Sequence, residues 1–239
     1  GQQRYIGPDK YRRTNGDLCF IQDGEIKVGV TALSHGGVDA EIKVDWPLQI
    51  HTLSPIGHQH IEDFLPVYFI DLCGGIIQGT VKGGGSKIIN CDGNIHITAG
   101  KLTATAQGSL SSDTTTAGGF KSEGNTTIDG GEIAIECTGE GSKGFNCNGT
   151  LTINGGRIAL LATAQNFERE GYDRKTRAIT TVGLDINGGK VYTKAYDHAI
   201  NAENINLNSG EVQAISTSTT GTAGTLTQKG GWLLTKDAE

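Results

Sequence analysis

A short unit recurs along this chain: an alternating strand, a tight turn ending in Gly-Gly or a near-copy of it, and a second alternating strand. "GNTTIDGGEIAIECTG", "NGTLTINGGRIALLATA", "VGLDINGGKVYTKAY" and "NINLNSGEVQAIST" are copies of it. Marked by the last turn residue, the units fall at Gly75, Gly100, Gly131, Gly156, Gly189, Gly210 and Gly231, spaced by 25, 31, 25, 33, 21 and 21 residues. A fainter mark, Gly24 in "FIQDGEIKVGV", lies 51 residues before Gly75, or two units with an irregular middle around Asp45-Trp46-Pro47. The chain therefore holds about nine units.

Within each unit the apolar period is two, which is the period of strands. Leu102, Ile133, Ile158, Val191 and Val212 share one position after the turn, and Ile97, Ile128, Ile153, Ile186 and Leu207 share one before it. Ile89, Phe120, Phe145, Ile179 and Ile200 form a third inward column, and the smaller Cys91, Ser122, Cys147, Thr181 and Ala202 a fourth. Units this short leave no room for a crossover helix, so βαβ architectures are excluded. A unit of this kind buries its apolar positions only against its neighbours, so like must stack on like. The expectation is an all-β chain folded as a right-handed parallel β-helix, a β-solenoid of about nine coils. It forms one domain over 1–239: irregular coils and a cap over 1–73, regular coils over 74–231, and a terminal piece over 232–239.

Two details refine this register. The step from the Ile89 column to the Ile97 column is eight residues in three coils but seven from Ile179 to Ile186 and from Ile200 to Leu207. A one-residue change reverses the face of every following side chain, so either the turn is shorter there or a residue is absent from the chain as written, a modified methionine being the candidate because the sequence holds no Met. Outward, Lys101, Glu132, Arg157, Lys190 and Glu211 stack with mostly alternating sign, as a solvated ion-pair ladder would.

Composition narrows the function. The 37 glycines among 239 residues follow no Gly-X-Y period, so collagen is excluded. No apolar run of about 18 residues is present, so no transmembrane segment is expected. A net charge of −6 argues against a general nucleic-acid binder. Five cysteines occur without a CxxC pair, which argues against a zinc site. Cys91 and Cys147 share a column two coils apart, about 10 Å, beyond the roughly 7 Å that a disulfide spans, and are expected as buried free thiols.

The phrases "GGGSKIINCDGNIHITAG", "GSKGFNCNGTLTINGG" and "KAYDHAINAENINLNSG" resemble a family of bacterial secreted carbohydrate-binding β-helix proteins with a pectate-lyase-like fold. The resemblance covers roughly residues 74–216. It implies carbohydrate binding, with calcium, polygalacturonate and cellulose as the family's ligands, and an extracellular or cell-surface location in a bacterium. The family pattern carries two acids before Ala-Ile, where this chain has Asp197-His198.

Candidate site residues fall on one edge. Two insertions follow the post-turn strand, Ser109 to Ala117 and Asn166 to Arg177, in coils two apart, and should project from the same side. The second carries Phe167 and Tyr172, rings able to stack on a sugar face. Beside them runs an outward column of Lys87, Gly118, Lys143, Arg177 and His198. It reads either as a cationic track for uronate carboxylates or as charges neutralised by Asp92, Glu123 and Glu203. Asn90, Asn146 and Asn201 project next to it and can bond sugar hydroxyls. Calcium needs six to eight oxygens, and Asp173, Asp197 and Glu203 are the best acidic candidates. A separate segment, "HTLSPIGHQHIED", gathers His51, His58, His60, Glu62 and Asp63, as a metal site or an irregular loop, and the His35 dipeptide reads as a turn.

Three functions compete. The first is non-catalytic binding of an acidic polysaccharide at a bacterial surface. The second is a calcium-dependent lyase acting on uronate polymers, which would need a base such as Lys143 or Arg177. The third is a structural or adhesive solenoid with no ligand. No catalytic residue is assigned, and oligomeric state is left open.

Overall fold

The computed structural model describes residues 74–110, 115–169 and 171–238, with Leu72 and the backbones of Arg12–Thr14, Asp17–Gln22, Glu25–Lys27, Glu41–Asp45 and Phe69–Leu72. The described residues are all-β, without an α-helix, and from Phe69 onward the strands of the main sheets pair in parallel. The chain passes through three parallel stacks in rotation. The first holds Lys87–Cys91, Gly118–Ser122, Lys143–Cys147 and Arg177–Thr180. The second holds Phe69–Leu72, Asn94–Ile97, Thr126–Ile128, Thr150–Ile153 and Gly183–Ile186. The third holds Ile76–Val81, Lys101–Ala106, Glu132–Cys137, Arg157–Ala162, Lys190–Ala195, Glu211–Ser216 and Trp232–Lys236. Ile200–Leu207 belongs to the first stack at one end and the second at the other, which joins them into a single 14-stranded sheet.

All four inward columns expected from the sequence are buried and form one core cluster with the polar Ser122 and Thr181 beside it. Phe120 and Phe145 stack with ring centroids 4.7 Å apart. Cys91, Cys137 and Cys147 are buried free thiols, their pKa values raised to about 11, 12 and 11, with burial the main cause. The seven turn glycines all adopt positive φ, from 71° at Gly231 to 97° at Gly100. At Gly131 a Cβ would also lie 2.9 Å from the Gly100 carbonyl oxygen of the unit below, so both conformation and space call for glycine. The residues before these glycines form a side-chain ladder. Asn208 donates to Asn187 and Asn187 to Asn154, each at 2.8 Å, and Asn154 donates to Asp129 at 2.7 Å. His96 Nε2 lies 2.6 Å from the other Asp129 oxygen, and these two hydrogen bonds hold the Asp129 carboxyl below its ordinary pKa.

Three features differ from the expected register. The third stack has eight strands, of which seven are parallel; the eighth, Glu41–Asp45, pairs antiparallel with Ile76–Val81. Asp17–Gln22 and Glu25–Lys27, around the faint mark at Gly24, are likewise antiparallel partners. The described residues thus carry seven parallel strands of the repeat in the third stack; ahead of Phe69, Glu25–Lys27 adds a parallel rung to the first stack with Ile26 opposite Ile89, while Glu41–Asp45 joins the third stack antiparallel. Second, the first stack buries two residues in succession: Ile88–Ile89, Gly119–Phe120, Gly144–Phe145, Ala178–Ile179 and Ala199–Ile200. A Cβ on Gly144 would lie 2.5 Å from the Ala178 carbonyl oxygen, and one on Gly119 would lie 2.9 Å from the Ile135 side chain. The chain bends inward there, and small residues let it. Third, the seven-residue steps are absorbed at the corner: Ile200–Leu207 runs through it as one strand, its register against Thr222–Gln228 shifting between Asn201 and Asn204.

Candidate functional site

The bend in the first stack sets the fate of the predicted cationic column. Lys87, Gly118, Lys143 and Arg177 are register partners in successive strands. They do not form an open row of charges. Lys87 is 6% exposed and its Nζ donates to the Gly85 carbonyl. Arg177 Nε donates to Asp197 Oδ2 at 2.7 Å, and the Asp197 side chain is 6% exposed. His198 Nδ1 lies 3.0 Å from the Thr220 carbonyl oxygen and 3.1 and 3.2 Å from the Thr220 and Thr219 hydroxyls.

Lys143 is the exception. Among the described residues its ammonium has no carboxylate or hydrogen-bond partner. Burial, then the charges of Arg177, Arg174, Lys87 and Lys121, bring its pKa down to about 8. A cation surrounded by cations in a partly dry position is a place where an anion is favoured.

The predicted asparagine column stands close by. Asn90, Lys121, Asn146, Thr180 and Asn201 are register partners, all half-buried. Lys121 in this column is near enough to Lys143 for its charge to be felt there, and it pairs with Glu123 at 2.8 Å. Among the described residues the amides of Asn90, Asn146 and Asn201 make no side-chain hydrogen bond, and the Thr180 hydroxyl is buried without one. A buried polar atom without a partner is costly, which in this column applies to the Thr180 hydroxyl.

The two insertions do share an edge. Leu110 and Thr116 close the first by an antiparallel bridge, and its tip, 111–114, lies outside the described residues. The second is a hairpin of Phe167–Arg169 and Tyr172–Arg174. Both are tied to Glu140: Ser109 Oγ donates to its carbonyl at 2.9 Å, and Arg169 pairs with its carboxylate. Thr176, fully buried, accepts from Gly141 N at 2.8 Å and donates to the Gln165 carbonyl at 2.7 Å, fixing the hairpin base. Cross-strand pairing puts Phe167, Arg169, Tyr172 and Arg174 on one face of the hairpin. The Arg169 guanidinium lies 5.1 Å from the Phe167 ring centre and that of Arg174 lies 6.0 Å from Tyr172, whose side is 44% exposed. Glu168 and Asp173 occupy the other face, where both bind Lys175, at 2.9 and 3.1 Å, and raise its pKa.

The calcium candidates do not come together. Asp173 is held by Lys175, Asp197 by Arg177, and Glu203 stands exposed in Ile200–Leu207. Among the described residues no three His, Cys, Asp or Glu side chains group as metal ligands. The histidine-rich segment from His51 to Asp63, with His35, lies outside the described residues.

The outward ladder on the third stack holds a feature the sequence reading passed over. Lys101 pairs with Glu132 at 3.3 Å and Lys190 with Glu211 at 2.8 Å. Arg157 stands in register between Glu132 and Lys190 and, among the described residues, makes no ion pair or side-chain hydrogen bond. The next outward column is Ala134, Ala159, Tyr192 and Gln213. The small alanines leave an open groove of about 300 Å³ bounded by the charged ladder on one side. Its sequence signal was the alanine pair opposite a tyrosine in an outward column, visible once the units are aligned.

No curated protein and no solved structure matches the chain. Residues 66–167 match the family model described as carbohydrate-binding domain-containing protein, a span that includes Asn90, Lys121, Lys143, Asn146 and Arg157, and this match supports carbohydrate binding, with a polysaccharide as partner.

Proposed function

We propose that this protein binds an acidic polysaccharide of the polygalacturonate type without cleaving it, at a bacterial surface, on a right-handed parallel β-helix. The observation that carries the reading is Lys143: a largely desolvated ammonium that has no side-chain partner among the described residues, close to four other cations and beside a column of amides that make no side-chain hydrogen bond among those residues. A uronate carboxylate would supply the missing charge, and Asn90, Asn146 and Asn201 would meet hydroxyls. Neighbouring strands repeat at about 4.8 Å, close to the length of one sugar unit, so successive coils can meet successive sugars. The exposed Tyr172 ring offers an apolar face at the edge of this track.

The test is titration with polygalacturonate. Lys143→Gln should cost about 1.5–3 kcal/mol of binding free energy, the value of a charge-assisted hydrogen bond, and binding should weaken with salt. Arg177 is unsuited to this purpose, because its removal strands the buried Asp197 carboxylate. Unchanged affinity in a folded Lys143→Gln protein would reject this placement.

One observation favours a second reading. An amine with a pKa of about 8 is partly neutral in mildly alkaline solution and can abstract a proton, as a uronate lyase requires. Release of unsaturated oligosaccharide ends by the wild type, lost in Lys143→Gln, would move the protein into the lyase class.

A further inference from the structure

We infer that the groove on the third stack is a separate subsite for one carboxylated pyranose, with Arg157 receiving the carboxylate and Tyr192 flanking the ring. The inference shares with the reading above only the premise that the chain binds saccharide, and it concerns different residues on a different sheet.

The charge pattern selects the ligand. Four charged side chains line the groove, Glu132, Arg157, Lys190 and Glu211. Glu132 is engaged by Lys101, and Lys190 and Glu211 engage one another. Arg157 alone is left over, exposed, with a planar fork of donors suited to a carboxylate. One carboxylate at this step of the ladder, whether from a single sugar or from one residue of an oligomer, therefore matches it. Because Arg157 faces Lys190 across the sheet and Glu132 is already paired, an incoming carboxylate meets a locally positive step in the ladder.

The shape selects the body that carries this anion. Ala134 and Ala159 form the floor, and any longer side chain at either would occupy the space. Tyr192 follows Ala159 in register, one strand along, and presents a half-buried ring at the end of that floor. Gln213 stands beyond it with an amide that makes no side-chain hydrogen bond among the described residues. An apolar floor, an aromatic wall and amide and guanidinium donors without side-chain partners among the described residues are what a pyranose ring with one carboxylate would contact. A volume of about 300 Å³ sits at the small end of ligand pockets, which suits one ring rather than a long chain.

The experiment uses the full chain and calorimetric titration with trigalacturonate, against the neutral galactotriose, in wild type and in a Lys143→Gln background that removes the edge site. Trigalacturonate should still bind the Lys143→Gln protein. Adding Arg157→Met should then weaken it roughly ten- to hundred-fold, as expected for loss of a charged hydrogen-bond pair. Adding Ala159→Leu, which fills the floor, should abolish it, and circular dichroism should show the fold retained. Galactotriose should be indifferent to Arg157→Met. Complete loss of binding in Lys143→Gln alone would overturn the groove while leaving the edge reading in place. Full binding in Lys143→Gln that disappears with Arg157→Met would do the reverse. Binding in the Lys143→Gln background that survives both Arg157→Met and Ala159→Leu, or absence of any trigalacturonate binding to wild type, would also overturn the groove.

Discussion

The first and third stacks carry charged columns built by the same repeat, yet they behave differently. On the third stack, Lys101, Glu132, Lys190 and Glu211 are about half exposed and pair with sequence-adjacent units across the ladder. On the first stack, Lys87 is buried against a carbonyl and Arg177 is locked to an almost fully buried Asp197. The difference comes from cover. Lys87 and Asp197 are buried and the hairpin packs Phe167 and Arg174 against Gly141, two residues before Lys143, whereas the ion pairs of the third column remain about half exposed. Charges in water are interchangeable and weakly coupled; charges under cover must each find a partner or pay in pKa. Among the described residues each column leaves one cation without a side-chain partner, Lys143 under cover and Arg157 in the open.

The comparison can be broken most decisively at the covered pair. Arg177→Ala should destabilise the fold by about 3–5 kcal/mol, because it leaves the Asp197 carboxylate buried and alone. A combined Arg177→Met and Asp197→Leu variant should recover much of that loss in denaturant unfolding. Phe145→Ala, which removes a stacked core ring beneath the same column, should cost a similar 3–5 kcal/mol.

Next in size is the turn. Gly131→Ala places a Cβ at a φ of 89°, 2.9 Å from a carbonyl oxygen, and should cost on the order of 1–3 kcal/mol by thermal or denaturant unfolding.

Lys143 sharpens the contrast through pH. Its folded pKa of about 8 lies below the 10.5 of an ordinary lysine, so between those values the unfolded chain holds a proton that the folded chain lacks. Stability should therefore rise with pH across that window, the penalty being complete below about 8. Lys143→Met should flatten the rise and stabilise the protein at neutral pH by roughly 1–2 kcal/mol. Uronate affinity at this edge should fall as pH climbs beyond about 8, because the neutral amine no longer attracts the carboxylate.

The smallest effect belongs to the open ladder. Lys101→Ala or Lys190→Ala should change stability by less than about 1 kcal/mol, and the change should vanish in high salt. A loss as large as that of Arg177→Ala would show that the two columns do not differ as described.

The inward columns and the turn glycines were legible in the chain because each depends on a local property that recurs. Alternation fixes which face a side chain takes, and Gly is the residue that tolerates positive φ without strain, so a repeated Gly mark reports a repeated turn. Free thiols at Cys91 and Cys147 followed from spacing alone. Even the common edge of the two insertions was readable, since insertions at one point of the repeat leave from one side.

What tertiary structure alone decided is which polar group keeps a partner. Lys87, Lys143 and Arg177 occupy equivalent places in the repeat, yet Lys87 bonds a carbonyl, Arg177 pairs with Asp197, and Lys143 has no side-chain partner among the described residues. Asp197, a calcium candidate from the sequence, pairs with Arg177, twenty residues away along the chain and adjacent only after stacking. Arg157 reads as one rung of a neutralised ladder until the rungs on either side choose other partners. Periodicity assigns a side chain to a face; pairing and burial depend on what neighbouring units and insertions bring to that face, and those come from distant parts of the chain.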